Sequence, residues 1–297
     1  MLVRQLAYLA ALARERHFAR AAAACNITQP ALSTAIKQLE EELGVPLVER
    51  DKRFKGFTPE GQEVLLWARR ILSDYDSLRQ GIQNAKRGLT GNLRLGVIPS
   101  ALPLVPLVTD PFNDRHPQVK VTVWSTSSIE IQQGLDHFEL EAGITYLDNE
   151  PLKGVLQRPL YTERYVLLTP EHGPLGGAAK ATWREAADLP LCLLTPNMQN
   201  RRIIDGIFKS LDCAPRPQLE TNSVINLCAH VRSGRLSSIV PRSLIQVLGM
   251  PSGAIALDLV EPDISRQVGL VVPDREPLPP ISLAIFSMQF PGFKDGH

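Results

Sequence analysis

The sequence predicts an all-α amino-terminal domain joined to an α/β domain, and three observations carry that prediction. Of the 24 prolines, only Pro30, Pro46 and Pro59 precede Gly91. Each proline fixes its own φ and disfavours helix in the residue before it, so the front accommodates long helices and the rest requires frequent breaks. Apolar residues recur at spacings of three and four before Gly88 and alternate in twos after Gly91, the periods of helix and strand. Charge divides at the same place: residues before Gly91 hold 14 Lys and Arg against 10 Asp and Glu, and the remainder 18 against 21, so the cationic surplus belongs to the helical part. A chain of 297 residues, 44% hydrophobic and 21% charged, has the length for about two domains and the balance of a folded globular protein, which excludes disorder and fibrous structure.

Leu2, Leu6, Leu9 and Leu12 mark an amphipathic first helix ending near His17. The alanine-rich run from Phe18 to Ala24 predicts a second helix of little bulk, which lets another helix approach closely. Asn26 tolerates the left-handed conformation that ends a helix, Thr28 can cap the next one, and Pro30 fits its first turn. On that third helix Leu32, Ile36, Leu39 and Leu43 form one apolar stripe. The opposite face carries Gln29, Pro30, Ser33, Thr34 and Lys37, a polar and cationic surface suited to a DNA major groove, with Gln29 and Ser33 at base edges and Lys37 at phosphate. Any surface helix is polar outside. The weight comes from Arg50, Lys52, Arg53 and Lys55, which follow directly and end at Thr58 and Pro59 like a basic wing beside a winged helix-turn-helix.

The run FARAAAACNITQPALSTAIKQLEEELGVPLVER followed by TPEG resembles the LysR-type transcriptional regulators. The resemblance implies DNA-facing positions at Thr28, Gln29, Pro30, Ser33, Thr34 and Lys37, with Arg50 and Arg53 in the wing. Thr34 stands where many members have arginine, which removes a cation from the reading face. Double-stranded DNA is the expected macromolecular partner, with activation, repression or both as the outcome.

From Thr58 onward Val64, Ala68, Ile71, Tyr75, Leu78, Ile82 and Ala85 alternate in spacings of four and three, the seam of a coiled coil. Two chains are expected to pair here, giving two recognition helices, and the resemblance implies a homotetramer of two such dimers. The expected division is a DNA-binding domain at 1–58, a linker and dimerisation helix at 59–88, and an effector-binding domain at 89–297.

Beyond Gly91, strands are read at NLRLGVI, VKVTVWS, YVLLT, LPLCLLT, SSIV, AIALDLV and QVGLVV, and helices at RRIIDGIFKSL and SVINLCAHVRSG, an α/β sheet expected to be mostly parallel. The resemblance implies a two-lobed, periplasmic-binding-protein-like (type 2) effector module, with lobe I near 91–163 and 267–297 and lobe II near 164–266. Ligands in open α/β sheets bind beyond the carboxyl ends of strands. That rule selects Ser100, Thr126, Ser128, Thr145, Tyr146, Asn200, Arg201 and Ser223 as candidate effector contacts. Helix N-termini and Arg201 or Arg202 favour an anion there, so a small anionic metabolite is the expected effector. Serine, threonine and asparagine at such places also serve as plain N-caps. The segment EAGITYLDNEPL resembles regulators associated with formate dehydrogenase operons, and GRLSSIVP, with Leu236 and Ser237 in place of smaller residues, implies a reshaped pocket in lobe II.

No GxSxG, HExxH, P-loop or GxGxxG occurs, so no enzyme, catalytic residue, cofactor or metal site is expected. Cys25, Cys192, Cys213 and Cys228 form no CxxC pair and indicate a reducing cytoplasm. A redox pair of Cys213 and Cys228 is weighed against burial of Cys228 as a hydrophobe, which its apolar helix favours. Neither a signal peptide nor a spanning helix is expected, and hence no membrane partner. The competing class is a solute-binding module or enzyme whose front end mediates assembly only.

Overall fold

The computed structural model describes residues 3–50 and 54–293, the side chains of Arg50 and of residues 83–87 excepted. The chain divides into two compact units, 1–87 and 88–297.

In the first unit, α1 (Val3–Glu15), α2 (Phe18–Ala24) and α3 (Gln29–Leu43) are followed by a two-stranded wing, β1 (Val48–Arg50) and β2 (Phe54–Phe57), and by the long α4 (Pro59–Arg87). The turn between α2 and α3 forms as its residues dictate. Asn26 takes φ +54°, Thr28 Oγ1 accepts from the Ala31 N–H at 3.4 Å, and α3 ends at Gly44 with φ +71°. Leu6, Leu9, Leu12, Leu32, Ile36 and Leu39 are fully buried together. Leu43, expected in the same stripe, is exposed, because the last turn of α3 has run past the helices it packs on. Leu2 lies outside the described residues.

The wing hangs on α3 and α4 by polar ties. Glu40 Oε1 accepts from the backbone N–H groups of Leu47 and Val48 at 3.0 and 3.1 Å, and Thr58 Oγ1 donates to the Pro46 carbonyl at 2.6 Å while accepting from Gly61 N–H at 2.9 Å. Phe54 stacks edge-on against both Phe18 and Phe57. Gly61 explains the last letter of TPEG: a Cβ there would stand 1.9 Å from the Leu47 carbonyl oxygen.

In the first half of α4 the expected seam packs on its own unit. Ala68 is fully buried, and Val64 and Ile71 pack with it into the core of their own unit. Farther along, Tyr75, Leu78 and Ile82 are exposed. The side chain of Ala85 lies outside the described residues.

The second unit opens with β3 (Gly91–Val97), a 3₁₀ turn at Pro99–Leu104, α5 (Pro106–Arg115), β4 (Val119–Ser125), α6 (Ser128–Asp136) and β5 (Ala142–Tyr146). Then comes β6 (Val155–Pro170), followed by β7 (Lys180–Thr182), α7 (Trp183–Ala187), β8 (Cys192–Leu194), α8 (Gln199–Ser210), β9 (Leu219–Thr221), α9 (Val224–Arg232), β10 (Ser238–Pro241) and α10 (Arg242–Leu248). The order closes with β11 (Ala254–Val260), β12 (Ser265–Pro273) and α11 (Pro280–Ser287).

One curled sheet runs β4-β3-β5-β12-β6-β11-β7, with β10 also on β6, and β8 pairs with β9 apart from it. The lobes are joined by β6, which pairs with β12 over Val155–Arg164 and then with β10 and β11 over Tyr165–Pro170. The mostly parallel sheet expected from strand–helix alternation is not what forms. The pairs β3–β4, β3–β5, β8–β9 and β7–β11 are parallel, whereas every pair made by β6 or β12 is antiparallel. A chain that crosses from one lobe to the other and returns must lay its two crossing strands head to tail.

Replacing Gly61 with alanine is expected to lower the stability of the first unit by about 1–3 kcal/mol or more, since a methyl must displace backbone. Gly81→Ala, with open space around it, should raise helix stability by up to about 1 kcal/mol. Urea denaturation of both variants checks the pair, and equal effects would contradict the packing.

Candidate functional site

Two surfaces meet the sequence expectations. On the first, Thr28, Gln29, Pro30, Thr34 and Lys37 are exposed and Ser33 is half-buried. They lie along the N-terminal half of α3, opposite the buried Leu32, Ile36 and Leu39. Lys37 Nζ sits 3.6 Å from Glu41, both largely exposed, a contact weak enough in water to be exchanged for phosphate. Arg50 ends β1, its side chain outside the described residues, and Arg53 and Lys52 lie outside them altogether.

The second surface is the seam between the lobes. Ser100 sits in the 3₁₀ turn after β3, Tyr146 ends β5, Glu163 lies in β6 beside its change of partners, and Asn200 stands in the first turn of α8. All four are buried. The Tyr146 hydroxyl is their hub: it donates to Glu163 Oε1, accepts from Asn200 Nδ2 at 3.0 Å and lies 3.2 Å from Ser100 Oγ. Tyr161 donates to the other oxygen of Glu163 at 3.4 Å. Burial pushes the Glu163 carboxyl up to about 7, against the lowering effect of the two tyrosine hydroxyls. The same burial, with Glu163 next, holds Tyr146 well above the ordinary tyrosine range, so its hydroxyl stays protonated.

The first turn of α8 reaches across the seam with two more side chains. Gln199 accepts from Thr145 Oγ1 at 3.2 Å and donates to the Asn149 carbonyl, and Arg202 pairs with Glu150 and reaches Ser128 Oγ at 3.5 Å. Thr145, Tyr146, Ser128, Ser100 and Asn200 are thereby brought together. Three expected contacts serve otherwise. Thr126 Oγ1 donates to Glu130 at 2.7 Å within the capping box that Ser127 and Glu130 form on α6. Ser223 caps α9, accepting from Asn226 N–H at 3.4 Å. Arg201 turns into lobe II, pairing with Asp205 at 2.8 Å and Glu220 at 2.6 Å and donating to the Leu194 carbonyl.

Neither guanidinium expected to supply positive charge is therefore free of a carboxylate. An arginine near a helix start finds acidic partners at i+4 or on the next strand sooner than it faces an empty cleft. Sequence reasoning missed Glu163, Tyr161 and Tyr165, because nothing in YTERY says that a carboxylate in a strand will be buried. In lobe II, Ser237 Oγ lies 2.8 Å from Thr169 Oγ1 and Leu236 packs into the local core. Among the described residues, no cluster of His, Cys, Asp or Glu is arranged to hold a metal ion, and no helix is long and apolar enough to cross a membrane.

A family model described as the bacterial regulatory helix-turn-helix protein, lysR family, matches residues 3–62, and one described as the LysR substrate binding domain matches residues 86–287. The chain belongs to the LysR family. It is thus a DNA-binding transcriptional regulator, and its relatives are regulators rather than enzymes. This LysR-family chain is 32% identical, over 90% of its length and 86% of the relative's, to a probable hydrogen peroxide-inducible genes activator of Streptomyces viridosporus. A full-length OxyR variant from Pseudomonas aeruginosa superposes with a TM-score of 0.78 at 26% identity, covering 100% of this chain and 98% of that one. CbnR in complex with its target DNA superposes with a TM-score of 0.70 at 22% identity, over 96% and 98%, a likeness of fold. The Streptomyces relative is named as a peroxide-inducible activator, and the formate connection read from EAGITYLDNEPL is set aside.

The raised Glu163 carboxyl has a consequence for stability. The folded chain holds this proton more tightly than the unfolded chain, where the group titrates near 4.5. Its contribution is therefore greatest at low pH and is lost as pH rises through about 7. Glu163→Gln should gain stability relative to the parent between about pH 5 and about pH 8, as urea midpoints measure. A difference that does not change with pH would mean the carboxyl is not held in its neutral form.

Proposed function

We propose that this LysR-family regulator reads promoter DNA through the N-terminal half of α3 and the wing, and changes its action on the promoter when a small molecule enters the seam between the lobes. The carrying observation is the buried chain Ser100–Tyr146–Asn200, which ties the lobes together at the place where β6 switches partners. A ligand that replaces those bonds alters the angle between lobes. The DNA contacts proposed are Thr28, Gln29, Pro30, Ser33, Thr34, Lys37, Arg50 and Arg53, and the effector contacts Ser100, Ser128, Thr145, Tyr146 and Asn200. The functional boundaries proposed are the DNA-binding part to residue 58, the linker helix to 88 and the effector module beyond. An anionic effector has the N-termini of α6 and α8 in its favour, without the help of Arg201 and Arg202. The exposed stripe Tyr75, Leu78 and Ile82 supports pairing of two chains, and two dimers would form the tetramer. We place the protein in the cytoplasm, with its DNA.

The relatives' names raise a second reading, response to peroxide through a thiol. Peroxide attacks thiolates, which need a lowered pKa and access. Burial pushes Cys192 up to about 11 and raises Cys25 and Cys228 as well, and none of the four cysteines belongs to the seam cluster. For Cys25, Cys192 and Cys228 this favours a bound ligand over thiol oxidation.

Replacing Lys37, Arg50 and Arg53 together with alanine should weaken binding to a promoter fragment and flatten its salt dependence by about 0.9 for each phosphate no longer neutralised, with the oligomeric state unchanged in sedimentation. Unchanged affinity at every salt concentration would reject the reading face. Leu78→Asp with Ile82→Asp should shift the chain toward monomer and weaken binding to a two-half-site fragment far more than to a single half-site. A double variant that keeps its oligomeric state places the interface elsewhere.

A further inference from the structure

Glu163 and Arg266 are partners in register on the antiparallel strands β6 and β12, so their side chains leave the sheet on the same face. Opposite charges so placed ordinarily meet, yet these form no ion pair. Glu163 is buried and held by tyrosine hydroxyls alone. The Nε of Arg266 is buried with no hydrogen-bond partner, its guanidinium otherwise reaching the carbonyl of Ser265 at 3.2 Å. Tyr165, next but one to Glu163 and 3% exposed, lies within reach of Glu163, Arg266 and Asp148, and its hydroxyl, near that of Tyr146, is buried without a well-formed hydrogen bond. The seam thus presents an acceptor end, a donor end and an unsatisfied hydroxyl coupled to both. Buried polar groups are nearly always satisfied, and unsatisfied ones that converge ask for a partner.

Resting on the seam as effector site, we propose that its ligand is a small dipolar molecule of the amino-acid class, its ammonium received by Glu163 and its carboxylate by Arg266, with Tyr165 bridging the two. The class follows from what the seam would reject. A simple carboxylate reaches Arg266 but brings no ammonium to the Glu163 carboxyl, and Arg201 and Arg202 are already neutralised by Asp205, Glu220 and Glu150. A simple amine leaves Arg266 Nε without its acceptor. A zwitterion satisfies both ends.

The test is thermal stabilisation of the full chain by three matched probes: 4-aminobutyrate, butyrate and butylamine. The expected result is that 4-aminobutyrate binds about tenfold or more tightly than either half-molecule. Glu163→Gln should cancel its advantage over butyrate, and Arg266→Gln its advantage over butylamine. The ranking on the parent chain is informative even if a variant folds poorly. Butyrate binding as tightly as 4-aminobutyrate, weakened by Ser100→Ala but not by Glu163→Gln, overturns the dipolar ligand and leaves the seam as the effector site. Binding that none of the three substitutions affects removes the seam itself. No stabilisation by any of the probes overturns the inference.

Discussion

The second unit depends on one constraint, that β6 pairs with different partners along its two halves. Val155–Arg164 lies along β12 and Tyr165–Pro170 between β10 and β11, so one strand belongs to two lobes. The residues at the change of partner cannot be ordinary strand residues. Glu163 faces the seam rather than a hydrophobic core, and its carboxyl is tolerated there because Tyr146 and Tyr161 donate to it and because burial favours its neutral form. Arg164, next in sequence, points outward and pairs at 2.9 Å with Asp263 on the returning link. The two crossing segments are thus joined on both sides.

From that constraint follows the role of α8. Its first turn is the part of lobe II that lies over the end of β5, and its side chains fill the seam: Gln199 to Thr145, Asn200 to Tyr146, Arg202 to Glu150. Beside the apolar cluster that runs through both lobes, the seam itself is closed by polar contacts of modest individual strength. A hydrophobic seam of the same area would be harder to open by a small polar molecule. The first unit is built differently, with Leu6, Leu9, Leu12, Leu32, Ile36 and Leu39 closed to solvent and the polar residues of α3 turned out.

The helix-turn-helix was legible residue by residue because its determinants are local. A left-handed Asn26, a capping Thr28 and an apolar stripe on α3 act within a few residues of each other. The strands from NLRLGVI to QVGLVV were legible for the same reason, each through its own alternation. The seam was legible in part. Ser100, Thr145, Tyr146 and Asn200 follow strand ends or begin a helix, and a general rule about strand ends finds them. The partners of Arg201, Asp205 and Glu220, lie on its own helix and on β9, where the strand-end rule does not look, and capping and ligand contact ask for the same side chain at Ser223.

By itself the amino-acid sequence determined the elements, the polar face of α3 and the separation of a helical front from an α/β back, since periodicity, caps and proline breaks act over a turn or a strand. The tertiary structure alone decided the mixed direction of the sheet, the packing of Val64, Ala68 and Ile71 within their own unit, and the meeting of Glu163 with Tyr146 and Tyr161. Those depend on which distant segments pair. Pairing is set by the sum of burial over the whole fold, which no window of sequence contains.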